Sequence, residues 1–206
     1  MEDISEPNEH RLIAERRRKL QRLRDGGNAF PNDFRRNSIA GELQAAYSGH
    51  GAASLEAEPV TVSVAGRLMV KRVMGKASFA KLQDRSGQIQ LFVERDAIAP
   101  DVYQEFKGWD IGDILGAQGV LFKTKTGELS VKVDELRLLV KSLRPMPEKW
   151  HGIVDTELKL RQRYLDLIVD ERTRKIFQVR TAVIRSIRTF LDALDFFEVE
   201  TPMMHP

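Results

Sequence analysis

Apolar and polar residues alternate through residues 60–142, and this pattern most constrains how the chain folds. A period of two predicts strands, because successive side chains of a strand point to opposite faces of its sheet. The pattern predicts a long first strand in VTVSVAGRLMVKRVM, a hairpin over 76–93, and two later strands in DILGAQGVLFKT and ELSVKVDELRLLV. PDVYQEFKGWDIGD, residues 100–113, has helical character and separates the third strand from the fourth.

This order of elements narrows the set of possible folds. Three strands, a short helix and two strands form the order of a five-stranded oligonucleotide-binding (OB) barrel. Small Greek-key and SH3-like barrels remain alternatives, because alternation does not determine how a sheet closes. Helices are expected on both sides of this region, so the predicted fold class is α+β with an OB-fold β-barrel over residues 60–142.

The hairpin KASFAKLQDRSGQIQLFV places an aromatic residue on its polar face. With the turn at DRSG, Phe79 lies opposite Phe92, and Lys81 lies opposite Gln90. Phe79 and Gln90 are then diagonal neighbours that point away from the core. The core face takes the apolar residues, which are Ala80, Leu82, Ile89, Leu91 and Val93.

Outward aromatic rings beside an amide suit single-stranded nucleic acid. A ring stacks on a base, and a glutamine both donates to and accepts from an unpaired base edge. The alternative is that Phe79 and Phe92 pack beneath the N-terminal helix or the connector, as many aromatic residues do.

Basic residues flank these aromatics at the strand ends and at the last turn: Lys71, Arg72, Lys76, Lys123 and Lys125. A row of cations beside aromatic rings can follow a phosphate backbone. Strict alternation points Arg72 into the barrel, whereas a bulge near Gly66 would turn it outward. Glu128 has outward parity and can accept from a base amino or imino group, although an exposed hairpin carboxylate needs no ligand.

Residues 1–59 are expected to form a basic helix and a connector. EHRLIAERRRKLQRLR, residues 9–24, has a thin apolar stripe and ends before two glycines. Arg16, Arg17 and Arg18 are candidate phosphate contacts. Plain solvation and binding to a membrane surface are the alternatives, and the thin stripe argues against membrane insertion. The rest of this region predicts a connector with one short helix near 39–47.

A linker or hinge over 143–170 leads to a long helix expected from about 171 to 194. Its apolar residues recur at helical spacing: Ile176, Val183, Ile187, Phe190, Leu191 and Leu194. FFEVETPMM, residues 196–204, then alternates as a strand does. So broad a stripe needs a covering surface. We therefore expect a second chain to cover it, or the sequence to be a piece of a larger protein.

Composition excludes some classes of function and of functional site. The chain is 42% hydrophobic and 31% charged, as soluble folded proteins are, and its net charge of +3 does not by itself indicate a polyanion partner. The absence of cysteine excludes disulfides and thiolate metal sites and fits a cytoplasmic location. No apolar run approaches the roughly 20 residues that cross a bilayer. The four histidines lack metal-ligand spacing, and no motif forms a complete catalytic site, so neither kind of site is predicted.

Four segments resemble one family in that family's own order: GKASFAKLQDRSGQIQLFV, GDILGAQGVLFKTKTGELSV, RQRYLDLI and FFEVETPMM. They are similar to the N-terminal part of bacterial class II lysyl-tRNA synthetases, and the resemblance covers nearly the whole chain. It implies that residues 60–142 form the anticodon-binding domain. It also implies that residues 171–206 begin the class II catalytic domain with its motif 1.

The resemblance further implies roles for individual residues. Phe79 would stack on the central uridine of the lysine anticodon, Gln90 would read the edge of that base, and Arg72 would assist. Glu128 would meet a neighbouring anticodon base. Pro202 would lie at the interface of a homodimer, which would cover the apolar helix.

The second and third class II motifs do not occur in this sequence. The resemblance therefore implies ATP and Mg²⁺ for a longer parent enzyme that joins lysine to its tRNA, and no catalytic residue in these 206 residues. Asp195 stands where a glycine often ends the motif 1 helix. Aspartyl- and asparaginyl-tRNA synthetases share the barrel and motif 1 and remain an alternative. A stand-alone module that binds tRNA or single-stranded RNA is another.

Overall fold

The computed structural model describes residues 6–147 and 153–202. The chain divides into two compact units, Met1–Pro145 and Met146–Pro206. The first contains helices and a five-stranded barrel, and the second contains helices, so the α+β fold class is confirmed. Among the described residues, no helix combines the length and the apolar character needed to cross a membrane.

Five strands form the barrel of the first unit: β1 (Thr61–Met74), β2 (Ala77–Gln83), β3 (Gln88–Glu94), β4 (Ile114–Lys123) and β5 (Leu129–Val140). The barrel is closed, in the order β1-β2-β3-β5-β4. Neighbouring strands are antiparallel except β3 and β5, which pair in parallel between residues 90–92 and 130–132. This parallel pairing closes the barrel, a feature that alternation alone left open.

The barrel interior holds the apolar residues that the alternation predicts. Leu91, Val93 and Val131 are fully buried, and a short helix between β3 and β4 adds Tyr103 and Phe106 to the same core. That helix spans Pro100–Gly108 and ends earlier than the sequence pattern indicates, since residues 109–113 form a turn and loop.

Strand β1 contains a bulge, and its position corrects the sequence prediction. The pairing of β1 with β2 shifts at Met69, between Leu68 and Val70, and not at Gly66. Gly66 has a different role, because a Cβ there would lie 2.7 Å from the carbonyl oxygen of Gln83. The glycine therefore permits close approach of two strands, and the bulge reverses the faces of the residues that follow it.

Three helices precede the barrel: α1 (Glu6–Asp25), α2 (Ala40–Tyr47) and α3 (Ala52–Ala57). The sequence predicted α1 and α2 but not α3. The turn of the β2–β3 hairpin supports the start of α2, since the Ala40 N–H donates to Asp84 Oδ2 at 2.7 Å and the Gly41 N–H donates to Ser86 Oγ at 2.8 Å. These bonds satisfy two of the N–H groups that a helix start leaves unpaired. The Pro100–Gly108 helix is α4.

The second unit contains α5 (Thr156–Arg161), α6 (Arg163–Val169) and α7 (Glu171–Asp192). Asp170 caps α7, because its Oδ1 accepts from the N–H of Arg172 at 2.8 Å. Beyond α7, the Phe196 N–H donates to the Leu191 carbonyl and the Asp195 N–H to the Asp192 carbonyl, which is a Schellman ending. Asp195 takes the left-handed position of that ending with φ of 60°.

The strand predicted over 196–204 does not form in its described part. Residues 196–202 have no strand pairing, and residues 203 and 204 lie outside the described residues. A strand requires a hydrogen-bonded neighbour, which alternation in one segment does not supply. The apolar side of α7 is exposed over its length, for example at Ile187 (54%) and Phe190 (64%).

Candidate nucleic-acid interface

An aromatic and basic row crosses the outer face of the barrel. Arg72 pairs with Phe79 across β1 and β2, and Phe79 pairs with Phe92 across β2 and β3. Directly paired residues point to the same face, so these three side chains lie side by side. The hairpin register predicted from the sequence is thus confirmed. Both phenylalanines are partly exposed, and Arg72 is exposed.

The rings form a cluster that extends beyond the hairpin. The ring centroids of Phe79 and Phe92 lie 5.1 Å apart, and those of Phe92 and Phe122 lie 5.6 Å apart, all in tilted arrangements. Phe92 therefore supports Phe79 from one side. Phe122 was not predicted as part of this surface, although its outward parity beside the buried Leu121 was a usable signal.

The bulge at Met69 explains why Arg72 belongs to this row and Lys71 does not. Lys71 pairs with the buried Ala80, so it points to the inner side of the barrel wall. Its Nζ donates to the carbonyls of Phe106, Lys107 and Trp109 at the end of α4. Burial lowers the pKa of Lys71. The structure gives Lys71 a capping role in place of the phosphate role expected from the sequence.

Gln90 lies in the next row of the outer face. It pairs with Lys81 on β2 and with Ser130 on β5. The Gln90 Nε2 donates to Ser130 Oγ at 3.0 Å, and the Gln90 side chain is partly exposed. Phe79 and Gln90 therefore occupy one face as neighbours, in the arrangement that the hairpin pattern predicts.

Two ion pairs border this face. Lys81 Nζ lies 2.6 Å from Glu128 Oε1, and Lys132 Nζ lies 3.3 Å from Glu94 Oε2. All four side chains are partly exposed, so each pair contributes little to stability. Their effect is local, because the Lys81 and Lys132 ammonium groups each have a carboxylate as neighbour.

The remaining sequence-predicted cations fall into two groups. Lys76, Lys125, Arg17 and Arg18 are exposed. Lys123 instead donates to the Ser48 carbonyl at 2.6 Å and so holds the segment after α2.

Arg16 also has a structural role in place of the expected phosphate contact. It is only 8% exposed, and its guanidinium donates to the carbonyls of Arg144 at 2.7 Å and Ile111 at 3.2 Å. These bonds attach α1 to the segment that follows β5 and to the loop before β4. Helical spacing places Arg16 on the same side of α1 as the buried Leu20, four residues later.

A buried charge cluster lies beside Arg16, and no sequence pattern indicated it. Lys141 Nζ donates to Asp113 Oδ1 at 2.7 Å and to Asp110 Oδ2 at 2.6 Å, and Lys19 also donates to Asp110. Burial raises the pKa of Asp110, but the hydrogen bonds from Lys141 and Lys19 outweigh it and hold that pKa below its usual value. This cluster ties α1 to the end of β5 and to the loop before β4.

Comparison with known proteins assigns both regions to families. Residues 62–139 match the family described as OB-fold nucleic acid binding domain. Residues 155–206 match the family described as tRNA synthetases class II (D, K and N). The first match contains the whole candidate interface on the barrel, namely Arg72, Phe79, Gln90 and Glu128.

Similar proteins cover nearly the whole chain. The lysine–tRNA ligase of Thioalkalivibrio sulfidiphilus is 61% identical over 196 residues, which are 95% of this chain. Those of Aromatoleum aromaticum and Methylobacillus flagellatus are 60% and 58% identical over 96% and 98% of this chain. The chain is a homologue of lysine–tRNA ligases. It spans 39% to 40% of the length of these curated relatives.

The similar proteins bear on one alternative that the sequence pattern left open, the amino acid specificity of the family. The class II family match includes three amino acid specificities, but the relatives described above are all of the lysine type. Among residues 6–147 and 153–202, no three histidine or carboxylate side chains are grouped to hold a metal ion.

Proposed function

We propose that this chain provides the anticodon-binding part of a lysine–tRNA ligase. The observation that carries the proposal is the row of Arg72, Phe79 and Phe92 beside Gln90, on the outer face of a barrel that matches a nucleic-acid-binding family. A partly exposed ring with an amide and a cation on the same face suits an unpaired base.

In this proposal Phe79 stacks on the central uridine of the lysine anticodon. Stacking of a base on an aromatic ring contributes about 1–3 kcal/mol. Gln90 hydrogen-bonds the edge of the stacked base, and Arg72 supplies positive charge in the same row. Glu128, which is paired with Lys81 in the described structure, faces a neighbouring anticodon base.

Exposed cations hold the phosphates. We assign this role to Lys76, Lys125, Arg17 and Arg18, and we leave out Arg16, Lys71 and Lys123, because their donors are engaged by backbone carbonyls. Phosphate contacts of this kind make RNA affinity fall with salt.

The rest of the proposal concerns the longer enzyme. That enzyme attaches lysine to its tRNA with ATP and Mg²⁺ bound outside the residues described here, and it works in the cytoplasm, which suits a sequence without cysteine. Its homodimer interface includes Pro202 and the apolar face of α7. The exposure of that face supports a protein contact there.

The test is a titration of the protein with anticodon stem-loops that differ only in the central base. We expect tight binding of the uridine stem-loop and a loss of about 1–3 kcal/mol for Phe79→Ala. Phe30→Ala, which truncates a 43% exposed phenylalanine in the connector, is the matched control and should bind as the unmodified protein does. Equal affinity of Phe79→Ala and the control would refute the stacking role. Equal affinity for all central bases would indicate a general single-strand binder instead.

A further inference from the structure

Ser130 is a buried polar residue on the functional face of the barrel. It lies on β5 with Gln90 beside it on β3 and Phe122 beside it on β4. Its side chain is fully buried, although the outward parity of its position would expose it on an open sheet. A buried hydroxyl has to be hydrogen-bonded, so its partners show what it does.

The two hydrogen bonds of Ser130 run in one direction, from Gln90 Nε2 to Ser130 Oγ and from Ser130 Oγ to the Glu128 carbonyl. Its Oγ lies 3.2 Å from the Glu128 carbonyl oxygen, which can only accept, so the single hydroxyl proton goes to Glu128. Towards Gln90, at 3.0 Å, the Ser130 oxygen therefore has only a lone pair to offer. The group of Gln90 that meets it is the donor, Nε2. The chemistry of the chain Gln90–Ser130–Glu128 thus fixes which end of the amide faces β5.

A second pair of residues lies beside Gln90. Lys81 is directly opposite Gln90 across β2 and β3. Its Nζ is held at 2.6 Å by Glu128 Oε1. Glu128 therefore contacts both of these neighbours of Gln90, since its carbonyl accepts from Ser130 and its carboxylate pairs with Lys81.

We infer that Ser130 is a positioning residue that fixes the Gln90 amide so that its oxygen, Oε1, is presented to the base. This inference rests on the proposed function. An acceptor at that point suits a base with a proton on N3, as in uracil. It repels cytosine, whose N3 carries a lone pair. If the amide turned over, its two ends would exchange and the preference would disappear, because a glutamine amide is symmetric in shape but not in hydrogen bonding.

The test uses Ser130→Ala, which removes the hydroxyl and keeps the small size. We expect the ratio of affinities for uridine and cytidine stem-loops to fall about two- to tenfold, the contribution of one hydrogen bond. Affinity that depends on stacking and phosphates should persist. Ser78→Ala is the matched control, because Ser78 is also fully buried and hydrogen-bonded, to Tyr103, but does not contact Gln90. It should leave the ratio unchanged.

Two outcomes separate this inference from the proposed function. An unmodified protein that does not discriminate between the stem-loops overturns both. Discrimination that survives in Ser130→Ala overturns the role of Ser130 alone. NMR of the unmodified protein gives a test that needs no variant: one Nε2 proton of Gln90 should exchange slowly with solvent because it is bonded to Ser130. Equal and fast exchange of both protons would contradict the inference.

Discussion

The two units of this chain contain the same kind of apolar pattern, but one unit buries it and the other leaves it exposed. In the barrel, Leu91 and Val131 are fully buried by other strands and by α4. In the second unit, the apolar side of α7 is regular but exposed, with Ile187 at 54%. The comparison shows that periodicity predicts which side of a helix or strand is apolar. Burial of that side also requires a second surface that packs against it. The barrel contains that surface, whereas in our proposal α7 receives it from further protein.

The largest expected effect concerns a buried ion pair, in which the barrel supplies partners for its own buried charges. Lys141→Ala removes the cation beside Asp113, and the side chains of both residues are almost fully buried. Because an unpaired charge would remain inside, we expect a loss of about 3–5 kcal/mol in the free energy of unfolding of the barrel. Hydrogen exchange of β1–β5 measures it. The exposed Lys125→Ala is the control and should change it little.

Truncating one apolar residue in each unit tests the comparison directly. Leu91→Ala should destabilise the barrel by about 2–5 kcal/mol, because it leaves a cavity in a closed core. Ile187→Ala on the exposed face of α7 should change the stability of the second unit by roughly 0.5 kcal/mol or less. Denaturant unfolding followed by hydrogen exchange in each unit provides both values. A large effect of Ile187→Ala that grows with protein concentration would show that copies of the chain already cover this face.

A smaller effect concerns the contact between the hairpin turn and α2, which acid should weaken. Burial raises the pKa of Asp84, but hydrogen bonds from Ser86, Ala40 and Gly87 outweigh it, so the pKa lies below the ordinary value of 3.8. A lowered folded-state pKa means that the stabilisation is present above 3.8 and is lost as pH falls through the folded-state pKa.

Asp84→Asn should therefore weaken this contact at neutral pH and reduce the loss of stability between neutral pH and acid. Unfolding curves at several pH values measure both effects. Ser86→Ala, which removes one of the donors, should act in the same direction and less strongly. Identical acid sensitivity of Asp84→Asn and the unmodified protein would contradict the prediction.

The smallest expected effect is a gain in the stability of the second unit. Asp195 has φ of 60°, a conformation that glycine adopts at less cost than aspartate. Asp195→Gly should stabilise the end of α7 by about 1 kcal/mol or less, and Asp195→Val should destabilise it. Slower hydrogen exchange in the last turn of α7 is the measurement. Destabilisation by glycine would show that the carboxylate makes a contact that outweighs the backbone conformation.

Periodicity predicted much of the site and misassigned some of its cations. The DRSG turn fixed the register, so Phe79 and Gln90 fell on one outer face as expected. Arg16, Lys71 and Lys123 looked like surface cations in the sequence, yet each donates to backbone carbonyls of a distant segment. No local pattern identifies a carbonyl that lies opposite a lysine only after folding.

The sequence by itself determined the order of the five barrel strands and of most helices, the inner and outer faces within most strands, and the homology to lysine–tRNA ligases. These follow from local spacing, turn residues and matching segments. The tertiary structure decided the parallel closure of β3 on β5, the bulge that turns Arg72 outward, and the burial of Ser130 beside Gln90. They depend on which strands become neighbours, because a hydrogen bond across the barrel exists only when both of its partners are brought together.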